Sequence, residues 1–435
     1  MVLASPTELT MSARRSAQPL EPRHLKPFGV GDVRVLLLEN VNQTAVEILR
    51  KAGYQVEFHT KALPEDVLIE KIKSVHIVGI RSKTKLTRQV LQHADKLLTI
   101  GCFCIGTNQV DLDFAAERGI SVFNSPFSNS RSVAEMTISN VIALARQLGD
   151  RNREMHEGNW FKVSANCYEV RGKTLGIVGY GHIGSQLSVM AESLGMRVLF
   201  YDVLQLMPLG SSSPTESLDD LLRRSDFVTL HVPETSDTKD MIGRRELALM
   251  KPQSYLINAS RGTVVDIPAL AEALRASKLA GCAIDVYPSE PLANGKYFES
   301  PLIGCPNTIL SPHIGGSTEE AQSMIGIEVA SALTRFINVG TTLNAVNYPQ
   351  VDLRAIPAAK ESIFRLVNVH RNVPGVLRQI NNILAPFNVE KQVCDNKGNI
   401  SYFMADISIG SVEDIQTIYD HISSIEENVI TRVLY

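Results

Sequence analysis

Tryptophan occurs once, at Trp160, and cysteine only six times in 435 residues. The cysteines, Cys102, Cys104, Cys167, Cys282, Cys305 and Cys394, form no C-x-x-C pair and no metal-ligand spacing. That sets aside a disulfide-stapled scaffold and a zinc site, and leaves buried reduced thiols and a cytoplasmic compartment as the expectation. Charge of either sign is not in excess: 43 Lys and Arg stand against 46 Asp and Glu, a net −3. Without a basic excess there is no electrostatic case for nucleic acid, so an anionic ligand has to be met by a local cluster of cations. No apolar run reaches the ~18 residues of a membrane span, and the N-terminus lacks an apolar secretory core, so no membrane partner is expected. The opening 28 residues, with Arg14, Arg15, Pro19, Pro22 and Pro27, read as a disordered polar tail.

What the chain does have is α/β alternation. Short β-branched runs at Val33–Leu38, Val75–Ile80 and Leu97–Gly101 alternate with helical spacing such as Ala45, Ile48, Leu49 and Ala52, which stops at Gly53. A long helix is expected over about 131–148. A second series follows, with strands at Leu175–Val178, Val198–Tyr201, Phe227–Leu230, Tyr255–Asn258 and Gly281–Asp285. Two such series predict two Rossmann-like, doubly wound parallel-sheet domains. The stretch 341–361, with Pro349 and Pro357 and little periodicity, reads as a linker. From residue 362 to 435 the order β-α-β-β-α-β predicts a ferredoxin-like α+β domain.

Directly after the strand Leu175–Val178 comes Gly179-Tyr180-Gly181-His182-Ile183-Gly184, a G-x-G-x-x-G opening a helix. Gly179 suits the tight turn, Gly181 lets a backbone approach a pyrophosphate, and Gly184 permits close helix-to-strand packing. The next strand ends in Asp202, placed to bind the adenosine ribose hydroxyls and to repel a 2'-phosphate, which predicts NAD in preference to NADP. Three later segments each follow a strand: Asn258-Ala259-Ser260-Arg261-Gly262, Asp285-Val286-Tyr287-Pro288-Ser289-Glu290, and Ser311-Pro312-His313-Ile314-Gly315-Gly316-Ser317. Removing hydride from a secondary alcohol also releases a proton, which a histidine can take, so His313 is the candidate base, with Glu290 to stabilise its imidazolium and Arg261 to hold a carboxylate or polarise a carbonyl. From the residues alone a structural histidine and a surface arginine remain open as readings. Ser317 with Glu320 reads as a capping box.

Across residues 30–340 these motifs resemble the D-isomer-specific 2-hydroxyacid dehydrogenases. The resemblance implies Arg261, Glu290 and His313 as catalytic residues. It implies an NAD site drawing on Gly179, Gly181, His182, Ile183, Gly184, Asp202, Ala259, Ser260, Arg261, Asp285, His313, Ile314, Gly315 and Gly316. It also implies that the nucleotide domain, 130–316, is inserted in a substrate domain made of 29–129 and 317–340, with boundary helices near Ser130 and Ser317. The segments Gly101–Asp111 and Phe127–Glu135 and the run Ile257–Leu270 narrow the resemblance to members that act on a phosphorylated hydroxy acid and end in an ACT regulatory domain.

The basic cluster Arg81, Ser82 and Lys83, after a strand, can present cationic and hydroxyl donors to an anion, although a solvated basic turn has the same composition. Asn129 could add a neutral donor. The resemblance adds Trp160 and Lys162, reaching a neighbouring subunit, and a homotetramer. In the C-terminal domain His370, Asn372, Pro374 and Gly375 resemble an L-serine effector motif, but Glu390 stands where an asparagine is usual, and its carboxylate would repel that of serine. A dehydrogenase for an unphosphorylated hydroxy acid and an NADH-sensing corepressor keep the same fold; Arg81 with Lys83 weighs against the first, the ACT-like segment against both.

Overall fold

The computed structural model describes residues 29–291, 294–356 and 363–434. The expected tail, 1–28, and the end of the expected linker lie outside the described residues. Two parallel sheets and one antiparallel sheet organise the rest. The first sheet runs in spatial order Gln55–Phe58, Arg34–Leu37, Ile77–Ile80, Thr99–Cys102, Ser121–Phe123, all parallel. Its central strands are buried on both faces and almost wholly apolar, Thr99 giving its hydroxyl to Ser121 O: Ile77–Ile80 and Thr99–Cys102 are buried at every position. Odd residues such as Val35 and Leu37 pack with helix Gln43–Lys51, while Leu36 and Leu38 pack with helices Glu65–Ile72 and Leu112–Glu117. Chain order reverses between strands Arg34–Leu37 and Ile77–Ile80, which creates a crevice at their carboxyl ends.

The second sheet has seven parallel strands, with Thr174–Val178 between Arg197–Tyr201 and Phe227–Leu230, so its own reversal falls directly behind Gly179. Beyond Phe227–Leu230 lie Ser254–Asn258, Leu279–Ile284 and Thr308–Leu310, and Ser213–Pro214 forms the other edge. Short pairings at Gln55–Phe58, Ser121–Phe123 and Thr308–Leu310 escape sequence reading because three or four residues carry too little pattern. The helix expected at 131–148 is two helices, Ser130–Ala145 and Leu148–His156, broken at Gln147, whose φ is 52°.

Helix Glu319–Val339 returns the chain to the first sheet, where Ile325, Val329, Leu333 and Phe336 share a core with Val35, Leu37 and Phe123. Its N-cap is Thr318, whose hydroxyl accepts from Ala321 N; the cap expected from Ser317 falls one residue later, since Ser317 N is used to close a turn on Ile314 O. Gly340 ends it at φ 80°. The segment expected as a linker is packed from its start. Thr342, Ala345, Tyr348 and Val351 are buried, Ala345 bridges Phe123, and the Asn347 side chain accepts from Val122 N.

The third sheet is antiparallel, in order Asn388–Lys397, Ile400–Ser408, Ile363–Arg371, Asn428–Leu434, the ferredoxin-like arrangement. Helices Val376–Leu384 and Val412–Ser423 cover one face through Phe364, Leu366, Phe403 and Ile418. The other face, with Val367, Val369, Tyr402, Met404 and Ile430, joins the core of the first sheet. Polar groups on this face satisfy the end of helix Glu319–Val339: Arg432 donates to Phe336 O and Ile337 O, and Tyr402 to Gly340 O. Arg365 is paired with Asp406 at 2.6 Å and also donates to Val339 O, Leu353 O and Arg354 O.

Two buried histidines set a pH limit on this fold. His76, whose Nδ1 accepts from Arg34 N, and His370, whose Nδ1 meets Asn368 Oδ1, are both pushed down to about 4 by loss of solvation. The unfolded chain takes up these protons near pH 6.5 while the folded chain stays neutral until about pH 4, so stability falls as pH drops through that window. The slope contributed by each is up to about 1.4 kcal/mol per pH unit. Urea midpoints measured from pH 7.5 down to 4.5 should therefore decline below pH 6.5; a flat profile would mean the imidazoles reach solvent.

Candidate active site

The glycine loop does what its spacing predicts. Gly179 has φ 91° and faces the His231 carbonyl, which a β-carbon would strike; Gly184 lies equally close to the Gly179 carbonyl. Around Gly181, by contrast, a β-carbon would meet nothing within 4 Å. This open cradle, ahead of helix His182–Ser193 with its free first-turn N–H groups, fits a pyrophosphate. Asp202 is fixed on both oxygens, Oδ2 accepting from Tyr180 N at 2.8 Å and Oδ1 from Leu204 N at 3.0 Å. Tyr180, read as a filler position, is buried and stacked on Phe200, and its hydroxyl joins Ser188, Ser212 and Leu209 N. Ile183 packs against the same core, and the His182 ring is stacked on Phe127.

At the carboxyl ends of the neighbouring strands the three catalytic segments come together. Asn258 is fully buried; its Oδ1 accepts from the Ser260 N–H and hydroxyl, and its Nδ2 donates to Arg261 O, which ties the loop together, and the half-buried Arg261 guanidinium donates to Ser260 O at 2.6 Å. Gly262 then presses on the Tyr287–Pro288 backbone so closely that any β-carbon would overlap it, which brings the Arg261 loop against the loop of Glu290. Glu290 Oε1 accepts from Tyr287 N at 3.1 Å, and Oε2 lies 2.8 Å from His313 Nδ1. His313 stands in the left-handed region at φ 54°, held by its N–H on Asp285 O. The Asp285 carboxylate, expected among the cofactor contacts, also orders the His313 loop: Oδ1 accepts from the Ser311 hydroxyl and Ile314 N, Oδ2 from Gly315 N. With Nδ1 on a carboxylate and half its side chain exposed, His313 can take or give a proton at Nε2.

Asn129 lies against Gly316, and its buried amide oxygen has no partner among the described residues. Arg81, Ser82 and Lys83 follow strand Ile77–Ile80 at the crevice of the first sheet. Arg81 lines a cavity of about 500 Å³ together with Asn40, Asn42, Ser317, Thr318 and Gln322. Two residues stand apart: Trp160, 78% exposed, and Lys162 lie on the stretch after helix Leu148–His156, beside exposed Phe161 and Val163, and touch none of these groups. His370 and Asn372 are together near the turn at Gly398, whereas Glu390 bonds to Ser408 at the other end of the sheet, so one chain does not unite all three. Sequence reading missed Asn258, Tyr180 and Glu39. Glu39 is 7% exposed and accepts from Lys83 N and Thr84 N.

A dinucleotide cradle beside a carboxylate–imidazole pair and an arginine defines an NAD-dependent dehydrogenase of small hydroxy acids. The family model for the D-isomer specific 2-hydroxyacid dehydrogenase NAD binding domain matches residues 138–315. Solved relatives include the D-lactate dehydrogenase of Aquifex aeolicus complexed with NAD and lactic acid, 29% identical with a TM-score of 0.61, covering 73% of this chain and all of that one. D-3-phosphoglycerate dehydrogenase 2 of Saccharomyces cerevisiae is 56% identical over all of this chain and 95% of its own length. D-3-phosphoglycerate dehydrogenase of Escherichia coli is 50% identical over 93% of this chain and 98% of its own. The chain belongs to the D-3-phosphoglycerate dehydrogenases of that family.

Proposed function

We propose that the chain interconverts 3-phospho-D-glycerate and 3-phosphohydroxypyruvate, the first step of the phosphorylated route to L-serine. NAD, when bound, accepts the hydride from C2 of the substrate. His313 Nε2 receives the hydroxyl proton, and Glu290 at Nδ1 holds the ring in the orientation and tautomer that leave Nε2 free. Arg261 holds the substrate carboxylate and polarises the C2 oxygen. Arg81, Ser82, Lys83 and Asn129 receive the remaining polar groups, the phosphate above all. The observation that carries this reading is the Glu290–His313 pair at 2.8 Å at the carboxyl edge of the sheet that carries the Gly179 loop, with Arg81 in a cavity lined also by Ser317 and Thr318.

Division of labour follows the three sheets: 29–129 with 317–340 for substrate, 130–316 for NAD, 341–361 as the connection, and 362–435 as an ACT-type regulatory domain. L-Serine is its effector, through His370 and Asn372. The protein works as a cytoplasmic homotetramer. Six free thiols support a reducing compartment, and the exposed Trp160, Phe161, Lys162 and Val163 support an arm that lies on a neighbouring copy. Among the described residues no helix is long and apolar enough to cross a membrane.

The test is cofactor oxidation by the purified protein with 3-phosphohydroxypyruvate, pyruvate or 2-oxoglutarate, each with NADH or NADPH and with or without L-serine. Turnover is expected on the phosphorylated acid with NADH, and inhibition by serine. Equal use of NADPH would remove the role given to Asp202, and turnover on pyruvate alone would remove that of Arg81.

A further inference from the structure

We propose that Glu39 is the positioning residue of the substrate loop: its buried carboxylate grips the main chain of 83–84 and so holds the Arg81, Ser82 and Lys83 side chains in their binding arrangement. This rests on the reading that the Arg81 loop receives the phosphorylated end of the substrate.

Strand Arg34–Leu37 ends in an unusual turn. Glu39 and the following Asn40 are both left-handed, at φ 63° and 54°. That region is costly for L-residues. Asn tolerates it through short local hydrogen bonds, but Glu has no such compensation, so the surrounding structure must impose it. Here the strained turn directs the side chain inward, where Oε2 accepts from Lys83 N at 2.9 Å and Oε1 from Thr84 N at 2.7 Å. The opposite side of the loop is held as well, since Gln109 Nε2 donates to Arg81 O at 2.7 Å. The main chain is thus tied through both its N–H and C=O groups, while Ser82 and Lys83 point to solvent and Arg81 lines the cavity. The two bonds from Glu39 cross the point where strand order reverses, joining the ends of the two strands that bound the crevice.

The charge of Glu39 makes the inference decidable by sign. A carboxylate beneath an anion-binding loop repels the anion, so if it acted only as a charge, neutralising it would tighten substrate binding. If it acts by holding the loop, Glu39→Gln replaces one acceptor oxygen with an NH2 group that cannot accept an N–H, and binding weakens.

The experiment measures four proteins, the parent, Glu39→Gln, Arg81→Ala and the double variant, by steady-state kinetics with 3-phosphohydroxypyruvate and NADH. Calorimetric binding of 3-phospho-D-glycerate and fluorescence titration of NADH accompany it. For Glu39→Gln the KM is expected to rise about 10- to 100-fold, with kcat nearly unchanged, NADH affinity unchanged and 3-phosphoglycerate binding weakened by the same factor. The double variant should raise KM by less than the product of the two single effects, because part of the Glu39 effect passes through Arg81. A KM that rises in Arg81→Ala but stays level or falls in Glu39→Gln overturns the inference and spares the reading beneath it. A KM unmoved in Arg81→Ala overturns that reading, and the inference with it. Should Glu39→Gln fail to bind NADH as a folded protein, Glu39→Asp, which keeps the charge but not the reach, takes its place with the same expected outcome.

Discussion

Replacing His313 with alanine is expected to lower turnover by about 100- to 10,000-fold, the usual contribution of a positioned acid–base group. The NADH dissociation constant should hardly move, because the cradle at Gly179–Gly184 and the grip on Asp202 do not involve the imidazole. The structural reason for so large an effect is the attention given to one side chain. Asp285, 2% exposed, ties three donors of the 311–315 loop, and the left-handed backbone at His313 turns the ring toward Glu290. Steady-state turnover and a fluorescence titration of NADH would check both halves. Near-normal turnover would take the proton-transfer role away from His313.

Asp406→Ala should have the largest effect on stability, a loss of about 3–5 kcal/mol, the cost of leaving a buried charge without its partner. Arg365 and Asp406 are 2% and 5% exposed on their side chains and share two hydrogen bonds. Without the carboxylate, the guanidinium keeps only the carbonyls of Val339, Leu353 and Arg354, none of which carries a charge. Because Val339 ends the helix that leads into the connection between the first and third sheets, and Leu353 and Arg354 lie on that connection, the third sheet is expected to unfold ahead of the first. A shift under 1 kcal/mol by urea titration would show that water enters to solvate Arg365. Arg365→Met with Asp406→Leu, which removes both charges, should recover much of the loss.

The parts of this molecule legible in the sequence are those whose physics is local. Gly179, Gly181 and Gly184 follow a strand and open a helix within ten residues, and Asp202 ends the next strand, so spacing alone conveys their roles. The Arg261, Glu290 and His313 segments were visible because each follows a buried run, although only the fold brings Glu290 to His313 across 23 positions. What stayed hidden depends on contacts between distant segments. Glu39 meets Lys83 across 44 positions, and nothing in its neighbourhood marks it as buried. The packing of 341–353 was hidden for another reason: its polar groups bond to scattered partners, as Asn347 does to Leu112, Ile120 and Val122 and Thr342 to Pro349 and Val351, and so repeat with no period. The grip of Asp285 on the 311–315 loop was hidden as well, because its partners at Ser311, Ile314 and Gly315 lie 26 to 30 positions away.

Helix Glu319–Val339 has 21 residues, which at ~1.5 Å per residue makes it roughly 31 Å long. One end begins six residues beyond His313, with its N-cap Thr318 bonded to Ser132; the other is held by Arg432 and Tyr402 of the antiparallel sheet. It is therefore a lever arm whose fulcrum and load sit in different units of the protein. Tilted by about 2° at the sheet, a rod of that length carries its other end through roughly 1 Å, the scale of displacement that can cost on the order of 100-fold in rate. A rearrangement of the sheet too slight to disturb its own packing would, by that leverage, arrive magnified at the His313 end.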